Sequence, residues 1–412
     1  MAQIHFTLSE EEIKQIFVGD RNEAMKFLME RILNEVMQFE SEEQLGAAMH
    51  QRTDERTDYR NGTRERMLST RIGTLTLEVP RHRNEPFHTM IFDNYQRSEA
   101  SLIAAMIQMV VSGVSTRKIS NVVETLCGKE VSKSAVSELC KRLDDDVRKF
   151  LTQPLDGLDA PFLMIDATYF KAREDHKIVS KAFLVALAFK SDGTREVISF
   201  GTYDTEDNYS WINFLDGLRA RGLKSVQMVI SDSHKAIRRA IAKVYPEAAW
   251  QRCQVHFVRN ILDEMPAKYK EGIATELREM FTAPSAEEAR AIKNRIVEDY
   301  SLVAEKAMKT LEMGFEDATT CMCLPEHMQK VLRSTNCLER LNREFKRRSN
   351  VICVFPNEAS ILRLMGALAM EFSESESTRI RLYSEGRLRN IRESIESILK
   401  EKALYQLSLL AA

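Results

Sequence analysis

Between residues 161 and 252, segments of strand and helix length follow one another in an order that few folds allow. "PFLMIDATYF", "SKAFLVALAFK" and "TREVISFGTYD" are apolar runs of strand length, the last two joined by the tight turn "SDGT". A helical stretch, "YSWINFLDGLRARG", leads to a short apolar strand, "SVQMVISD". A second helix, "SHKAIRRAIAKVYP", leads to a last strand, "AAWQRC". Three strands in meander, then helix, strand, helix and strand, predict one mixed sheet with helices on both faces. That α/β order matches the ribonuclease H-like topology, in which the first and fourth strands are neighbours.

Two of these apolar strands carry an acid, which is costly to desolvate unless a partner compensates. Asp166 lies within "FLMIDAT" and Asp232 ends "VQMVISD". Neighbouring first and fourth strands bring both to one end of the sheet. Two carboxylates that close raise one another's pKa unless a cation lies between them. Mg²⁺, or Mn²⁺ in its place, suits an all-oxygen site, and two such ions per site would serve phosphodiester cleavage. A third acid is expected on the helix "STNCLERLNREFKRR", capped at Ser334 or Thr335. Asn336, Glu339, Arg343 and Lys346 share one face of it, with Arg347 adjacent, whereas Glu344 points elsewhere. Each acid also has a plainer reading. Asp232 at a strand end is placed to cap the next helix, and a Glu on a basic helix is often merely solvated.

The rest of the chain falls into segments of distinct character. Residues 1–58 read as an acidic helical arm, with Ile13, Ile16, Phe17, Leu28, Ile32 and Leu33 at helical spacing. Residues 59–97 are basic and strand-rich: "TRIGTLTLEVPRHR" alternates through Ile72, Leu75, Leu77 and Val79, with Pro80 expected to close the strand. In 98–150, Ser115 and Ser132 each precede a helical run and Gly128 breaks between them. Helix, short Gly-containing turn, helix is the pattern of a helix-turn-helix, and equally of an ordinary helical hairpin. Lys133, Ser134 and Ser137 on the second helix and Arg117 on the first suit DNA phosphates and base edges. Residues 155–260 hold the first part of the core and 261–332 an all-helical insertion. The helix with Glu339 falls in 333–372, and 373–412 is a charged helical tail, read as a solvated helix or a disordered arm.

The chain has 412 residues and a net charge of -2, but the charge is segregated, so the total does not exclude a nucleic-acid partner. The most apolar run, "LIAAMIQMVV", is too short to span a bilayer, and the first residues lack the pattern of a secretory signal. Seven cysteines at irregular spacing read as reduced thiols, so a cytoplasmic protein without a membrane partner is expected. Cys253 and His256 form a Cys-x-x-His pair whose only candidate complement is Cys321, Cys323 and His327. That spacing matches no standard zinc site, so zinc is set second. The preferred reading has Cys253 ending the fifth strand and His256 opening the next helix, where they brace the acids. Trp250 beside them reads as a core tryptophan rather than a base-stacking one.

The blocks "MIDATYFKAREDHKIVSKAFLVALAF", "VISDSHKAIRRAI", "WQRCQVHFVRN" and "NCLERLNREFKRRSNVICVFPN" resemble, in order, those of the bacterial Mutator-type insertion-sequence transposases. "YRNGTRERMLSTRIGTLTLEVPRHR" and "GVSTRKISNVVE" with "VSKSAVS" resemble that family's N-terminal region. The resemblance runs from about Tyr59 to Phe372. It implies a ribonuclease H-like core and an Asp-Asp-Glu triad falling on Asp166, Asp232 and Glu339. It also implies divalent metal and action on double-stranded DNA at the terminal inverted repeats of the element. Water would cut the phosphodiester at an element end, and the freed 3′-OH would attack target DNA.

End recognition is expected from the helix-turn-helix and from Arg60 and Arg64 of "YRNGTRER", with Lys171 and Arg173 near the site. Pairing two ends calls for a homodimer or a larger assembly. Two other readings stand beside the transposase: a metal-dependent DNA nuclease of the same fold without strand transfer, and a DNA-binding regulator whose acids are structural.

Overall fold

A computed structural model describes residues 10, 21–49, 51, 53, 56–70, 73–89, 91, 100–127, 131–377, 379 and 381–411. Ile13, Ile16, Phe17, Ile72 and Gly128 lie outside these residues. The chain forms two units, 1–142 and 143–412.

In the first unit, helix α1 (Arg21–Leu45) packs on an antiparallel hairpin of β1 (Arg60–Thr70) and β2 (Gly73–His82). Leu75, Leu77 and Val79 are buried, as the alternation predicts, together with Leu68 of β1 and Met37 of the helix. Glu30 and Asn34 of α1 accept from the backbone N–H groups of Thr76 and Glu78 at 2.6 and 2.9 Å. The helix thereby seals one edge of the hairpin, a surface that would otherwise invite further strands. Pro80 does not close β2. It pairs with Thr63, beside a register irregularity between Arg60 and Thr63, where a residue without an N–H is tolerated. Helices α2 (Ala100–Val111), α3 (Thr116–Cys127) and α4 (Lys133–Cys140) enclose Leu102, Ile103, Met106, Ile119, Val123 and Val136. Ser115 and Ser132 accept from Lys118 N at 3.4 Å and Ala135 N at 3.1 Å, starting α3 and α4 as predicted.

The second unit opens with α5 (Leu143–Thr152), followed by β3 (Phe162–Glu174), β4 (Lys177–Phe189) and β5 (Arg195–Tyr203). Then come α6 (Asn208–Ala220), β6 (Met228–Ser231), α7 (Lys235–Val244) and β7 (Ala249–Arg252). They form a five-stranded mixed sheet of order β5-β4-β3-β6-β7, antiparallel through β5-β4-β3 and parallel through β3-β6-β7. Trp211, Phe214 and Leu215 of α6 and Ile237 and Ile241 of α7 bury one face with Leu163, Ile165, Leu184 and Ala186.

From β7 the chain enters α8 (Gln254–Glu264), α9 (Lys270–Phe281), α10 (Ala286–Tyr300) and α11 (Glu305–Ala318), which share a separate core around Phe257, Leu277, Leu311 and Phe315. Gly314 marks the close approach of α11. A Cβ there would meet the Phe257 ring at 2.5 Å as well as the Arg252 guanidinium. The short α12 (Glu326–Leu332) leads to α13 (Asn336–Ile352) and α14 (Glu358–Ser377). These two cover the second face of the sheet, where Phe170, Phe183, Phe200, Phe345 and Phe355 meet ring to ring.

The tail departs from the expectation of a solvated helix or a disordered arm. Helix α15 (Glu385–Ala411) docks on β7, burying Leu388, Ile395, Leu399 and Ala403. Gln406 completes the edge strand: its Oε1 accepts from Trp250 N and its Nε2 donates to Trp250 O, both at 2.8 Å. Those buried positions recur at helical steps of seven, four, four and three, a stripe masked by the charge around it. Among the described residues no helix is long and apolar enough to cross a membrane.

Candidate active site

Parallel pairing of β3 with β6 runs only from Phe162↔Met228 to Met164↔Ile230. Asp166 and Asp232 each lie two residues further on. They therefore lie side by side just past the carboxyl end of β6, partway along the longer β3, at the kind of strand end where α/β sheets bind ligands. Asp232 does not cap α7, whose N-cap position is His234 and which has no side-chain cap. It accepts instead from His234 N at 3.3 Å.

Asp166 is held at both oxygens. Oδ1 accepts from Ala167 N at 2.9 Å, and Oδ2 from Asn342 Nδ2 at 2.8 Å. Burial lifts its pKa to about 7, with the Ala167 N–H opposing and the Asp232 charge adding to the rise.

Glu339 comes from the first turn of α13. Leu338, Leu341 and Phe345 bury one side of that helix, and Glu339, Asn342, Arg343 and Lys346 face the cavity on the other. Thr335 precedes the helix but gives it no side-chain cap. Its backbone N–H and its hydroxyl both reach Cys253 Sγ, each at 3.4 Å, while Gln254 N donates to Arg333 O at 2.9 Å. The end of β7 is thus tied to the start of α13. One turn into α8, His256 Nε2 lies 3.5 Å from Glu339 Oε1. That oxygen is buried and accepts no hydrogen bond. The Cys253 thiol raises the His256 pKa to about 8, against desolvation, with the Asp166 and Glu339 charges adding to it. Burial pushes the Cys253 thiol up, but the neighbouring His256 imidazole and the hydrogen bonds from Thr335 outweigh it and hold its pKa below the usual value.

The acids and His256 line one cavity of about 590 Å³. Of the residues predicted from sequence it gathers Asp166, Asp232, Glu339, His256, Arg343 and Lys346. Tyr169, Arg259 and Asn342 join them. Each stands three positions from a predicted residue (Asp166, His256 and Glu339 in turn), so the helical spacing that selected Arg343 and Lys346 also reached Asn342 and Arg259. Glu206 carried no such signal, since "DTEDN" looks like an ordinary polar turn. It accepts from Tyr169 OH at 3.2 Å and Trp211 Nε1 at 3.3 Å, and burial and then the Asp232 charge raise its pKa.

Several predicted residues lie away from the cavity wall. Asn336 is exposed at the first position of α13, and Arg347 pairs with Glu344 at 2.8 Å. Lys171 and Arg173 are exposed further along β3. Trp250 is buried, its Nε1 donating to Ser231 Oγ at 2.8 Å and the Arg238 guanidinium 4.7 Å above its ring. Cys321 is buried against Gln254 Nε2 at 3.9 Å, Cys323 contacts Thr320 O at 3.2 Å, and His327 lies on α12. In the first unit, Arg64, Arg117, Lys133, Ser134 and Ser137 are exposed. Arg60 instead donates to Ala47 O and Ala48 O at 2.9 and 3.2 Å, beside Glu42, and fastens the hairpin to the residues after α1.

A family model described as "Transposase, Mutator family" matches residues 1–377. The transposase for insertion sequence element IS256 in transposon Tn4001 of Staphylococcus aureus is 40% identical over 377 residues, 91% of this chain and 96% of the relative. That of insertion sequence element ISRM5 from Rhizobium meliloti is 41% identical over 363 residues, 88% of this chain and 91% of the relative. The one for IS1081 from Mycobacterium tuberculosis is 32% identical over 372 residues, 90% of each chain. The chain belongs to the Mutator family of transposases.

Proposed function

We propose that this protein is the transposase of an insertion sequence, binding the element's terminal inverted repeats, cutting there and joining the freed ends to target DNA. One observation carries the reading: Asp166, Asp232 and Glu339, far apart in sequence, line one cavity together with Arg259, Arg343 and Lys346. The acids supply metal ligands and the cations receive DNA phosphates. Relatives bearing the names of insertion-sequence transposases support it. The strand order supports a ribonuclease H-like core, and α3 and α4, with their serine starts, support a helix-turn-helix that reads the element end.

The residues fit divalent metal of the Mg²⁺ or Mn²⁺ kind. The donor set is all oxygen, burial and the Asp232 charge raise the Asp166 pKa to about 7, and Glu339 Oε1 is buried without a hydrogen bond. Among the described residues no three His, Cys, Asp or Glu side chains already close around one point. Mg²⁺ needs no such cage, taking one or two carboxylates and completing its shell with water and substrate phosphate. Two ions at Asp166, Asp232 and Glu339 would supply charge neutralisation for the attacking and leaving oxygens of an in-line displacement.

The protein's own groups do the positioning. Asn342 fixes the Asp166 carboxylate, and the imidazolium of His256 holds Glu339. Arg259, Arg343 and Lys346 neutralise the DNA backbone. Water attacks the phosphorus at the element end, the P–O3′ bond breaks, and a 3′-OH is freed. That hydroxyl then attacks a target phosphorus, and the target's own 3′ oxygen leaves. Two ends must meet, which calls for a homodimer or a larger assembly on DNA.

The test is strand transfer in vitro from a duplex carrying the element's end, with Asp166→Ala, Asp232→Ala and Glu339→Ala made singly. Each change should abolish cutting and joining while end binding survives. Full activity in one variant removes that residue from the triad. Cutting without joining by the wild type points to a nuclease, and chelator-insensitive binding without cutting to a regulator.

A further inference from the structure

Among the described residues lining the cavity, Tyr169 is the one that presents a phenol ring, three positions along β3 from Asp166. It is 52% exposed, yet its hydroxyl donates to Glu206 Oε2 at 3.2 Å. Glu206 is itself fixed by Trp211 Nε1 at 3.3 Å, with His234 Nδ1 at 3.8 Å, and Trp211 is fully buried in the core of the sheet. A tyrosine without a task leaves its hydroxyl in water. This one is anchored at its tip to a core-held acid, so an open ring is presented in one orientation.

The surroundings leave that ring available. β6 pairs with β3 no further than Met164, and the residue opposite Tyr169 on β4 is Ala182, too small to cover a phenol. Strand alternation sets Lys171 and Arg173 on the same face as Tyr169, both exposed. The cations at the cavity bind phosphates. The Tyr169 ring supplies an exposed aromatic face at the rim of the cavity, on the side of β3 opposite Asp166 and at the head of the strand face that carries Lys171 and Arg173.

We propose that Tyr169 is the platform on which the base flanking the scissile phosphate stacks, with Lys171 and Arg173 carrying the adjoining phosphates along the same face of β3. The inference rests on the reading of this cavity as one that cuts and joins DNA ends. Because every base has a π face, the contact tolerates sequence. It favours a flanking nucleotide that has left the duplex, since a paired base already has both faces covered by its neighbours.

The experiment uses the full-length protein and duplexes carrying the element's end, with 5-iododeoxyuridine placed in turn at each nucleotide flanking the cut. Irradiation of the wild-type complex should crosslink one of these positions to Tyr169, identified by peptide mass spectrometry. In parallel, affinity is measured for ends with that nucleotide paired and unpaired. Tyr169→Ala should bind the unpaired end about ten-fold more weakly and lose the preference for it, whereas Tyr169→Phe, which keeps the ring, should retain most of both. Lys171→Ala with Arg173→Ala should flatten the salt dependence of binding and keep the crosslink. Crosslinks mapping away from Tyr169 in a protein that cuts the end would overturn the proposal and leave the transposase reading standing. So would wild-type preference for the unpaired end in Tyr169→Ala. A wild type that neither binds nor cuts element ends overturns both.

Discussion

Asn342 donates through Nδ2 to Asp166 Oδ2 at 2.8 Å across 176 residues of sequence, linking the helix that carries Glu339 to the strand that carries Asp166. The amide orients one acid from the element that presents another. Asn342→Ala should lower strand-cutting rates by about 10–100-fold, as losses of such orienting groups do, with DNA-end affinity little changed. Asn342→Asp should be worse at neutral pH, because it sets a second charge against Asp166. Single-turnover rates together with binding isotherms decide; wild-type rates in both variants would show that Asp166 needs no support from α13.

The raised pKa of Asp166 makes divalent binding pH-dependent. Below about 7 the acid holds a proton that a cation must displace, so thermal stabilisation by Mg²⁺ should grow between pH 6 and pH 8. Without metal the sign reverses. A carboxyl whose folded pKa lies above its unfolded value stabilises fully below the unfolded value, and that contribution is lost as pH rises through about 7. In chelator, Asp166→Asn should therefore melt higher than the wild type at pH 8, by roughly a few degrees, with the gap closing at acid pH. Calorimetry with and without Mg²⁺ measures both. A Mg²⁺ effect independent of pH contradicts the assignment.

The Cys253 thiol is the first cause of the raised His256 pKa, so Cys253→Ala should bring that pKa down from about 8. The stability linked to His256 protonation is complete below the unfolded histidine value near 6.5 and is lost through about 8. The variant should hence lose stability mainly at acid and neutral pH. An NMR titration of the imidazole reads the shift directly.

Arg343 and Lys346 line the cavity on the solvent side of α13. If both meet phosphates, each change to Ala should reduce the slope of log affinity against log salt by roughly 0.9, irrespective of sequence. An unchanged slope would place them outside the DNA path.

Gln406 satisfies both backbone groups of Trp250. Gln406→Ala strands a buried N–H and should cost about 1–3 kcal/mol, whereas Gln406→Glu retains the acceptor and loses the donor. Chemical denaturation followed by tryptophan fluorescence reports the difference.

Much of this was legible because strands advertise themselves by apolar runs and helices by period. The sheet's sequence of elements followed from residues 161–252, and Asp166 and Asp232 stood out as charges where apolar side chains belong. Glu339 came from the face it shares with Arg343 and Lys346. Asn342 was missed although three residues from Glu339, because the face was drawn through Asn336, Glu339, Arg343 and Lys346, and only the fold brings the Asp166 carboxylate to the amide at 342. Glu206 was invisible for another reason: its importance comes from Tyr169 and Trp211, which only the folded sheet brings to it. The docking of α15 was hidden by composition. Ser, Glu and Arg dominate the tail, and a narrow stripe of Leu388, Ile395, Leu399 and Ala403 is outnumbered by the charge surrounding it.

The pairing of Gln406 with Trp250 has a consequence for synthesis. The two residues lie 156 positions apart, an interval the ribosome takes roughly 8–30 s to cover at 5–20 residues per second. Through that interval the fifth strand is a nascent edge without its closing helix, and Asp166 and Asp232 sit in a sheet not yet sealed. Every newly made molecule passes through a waiting period in which the strands of its sheet have left the ribosome and the segment that locks them has not. Growth temperature or codon pace in the last third of the message would lengthen or shorten that window, and with it the share of chains lost to aggregation before they reach DNA.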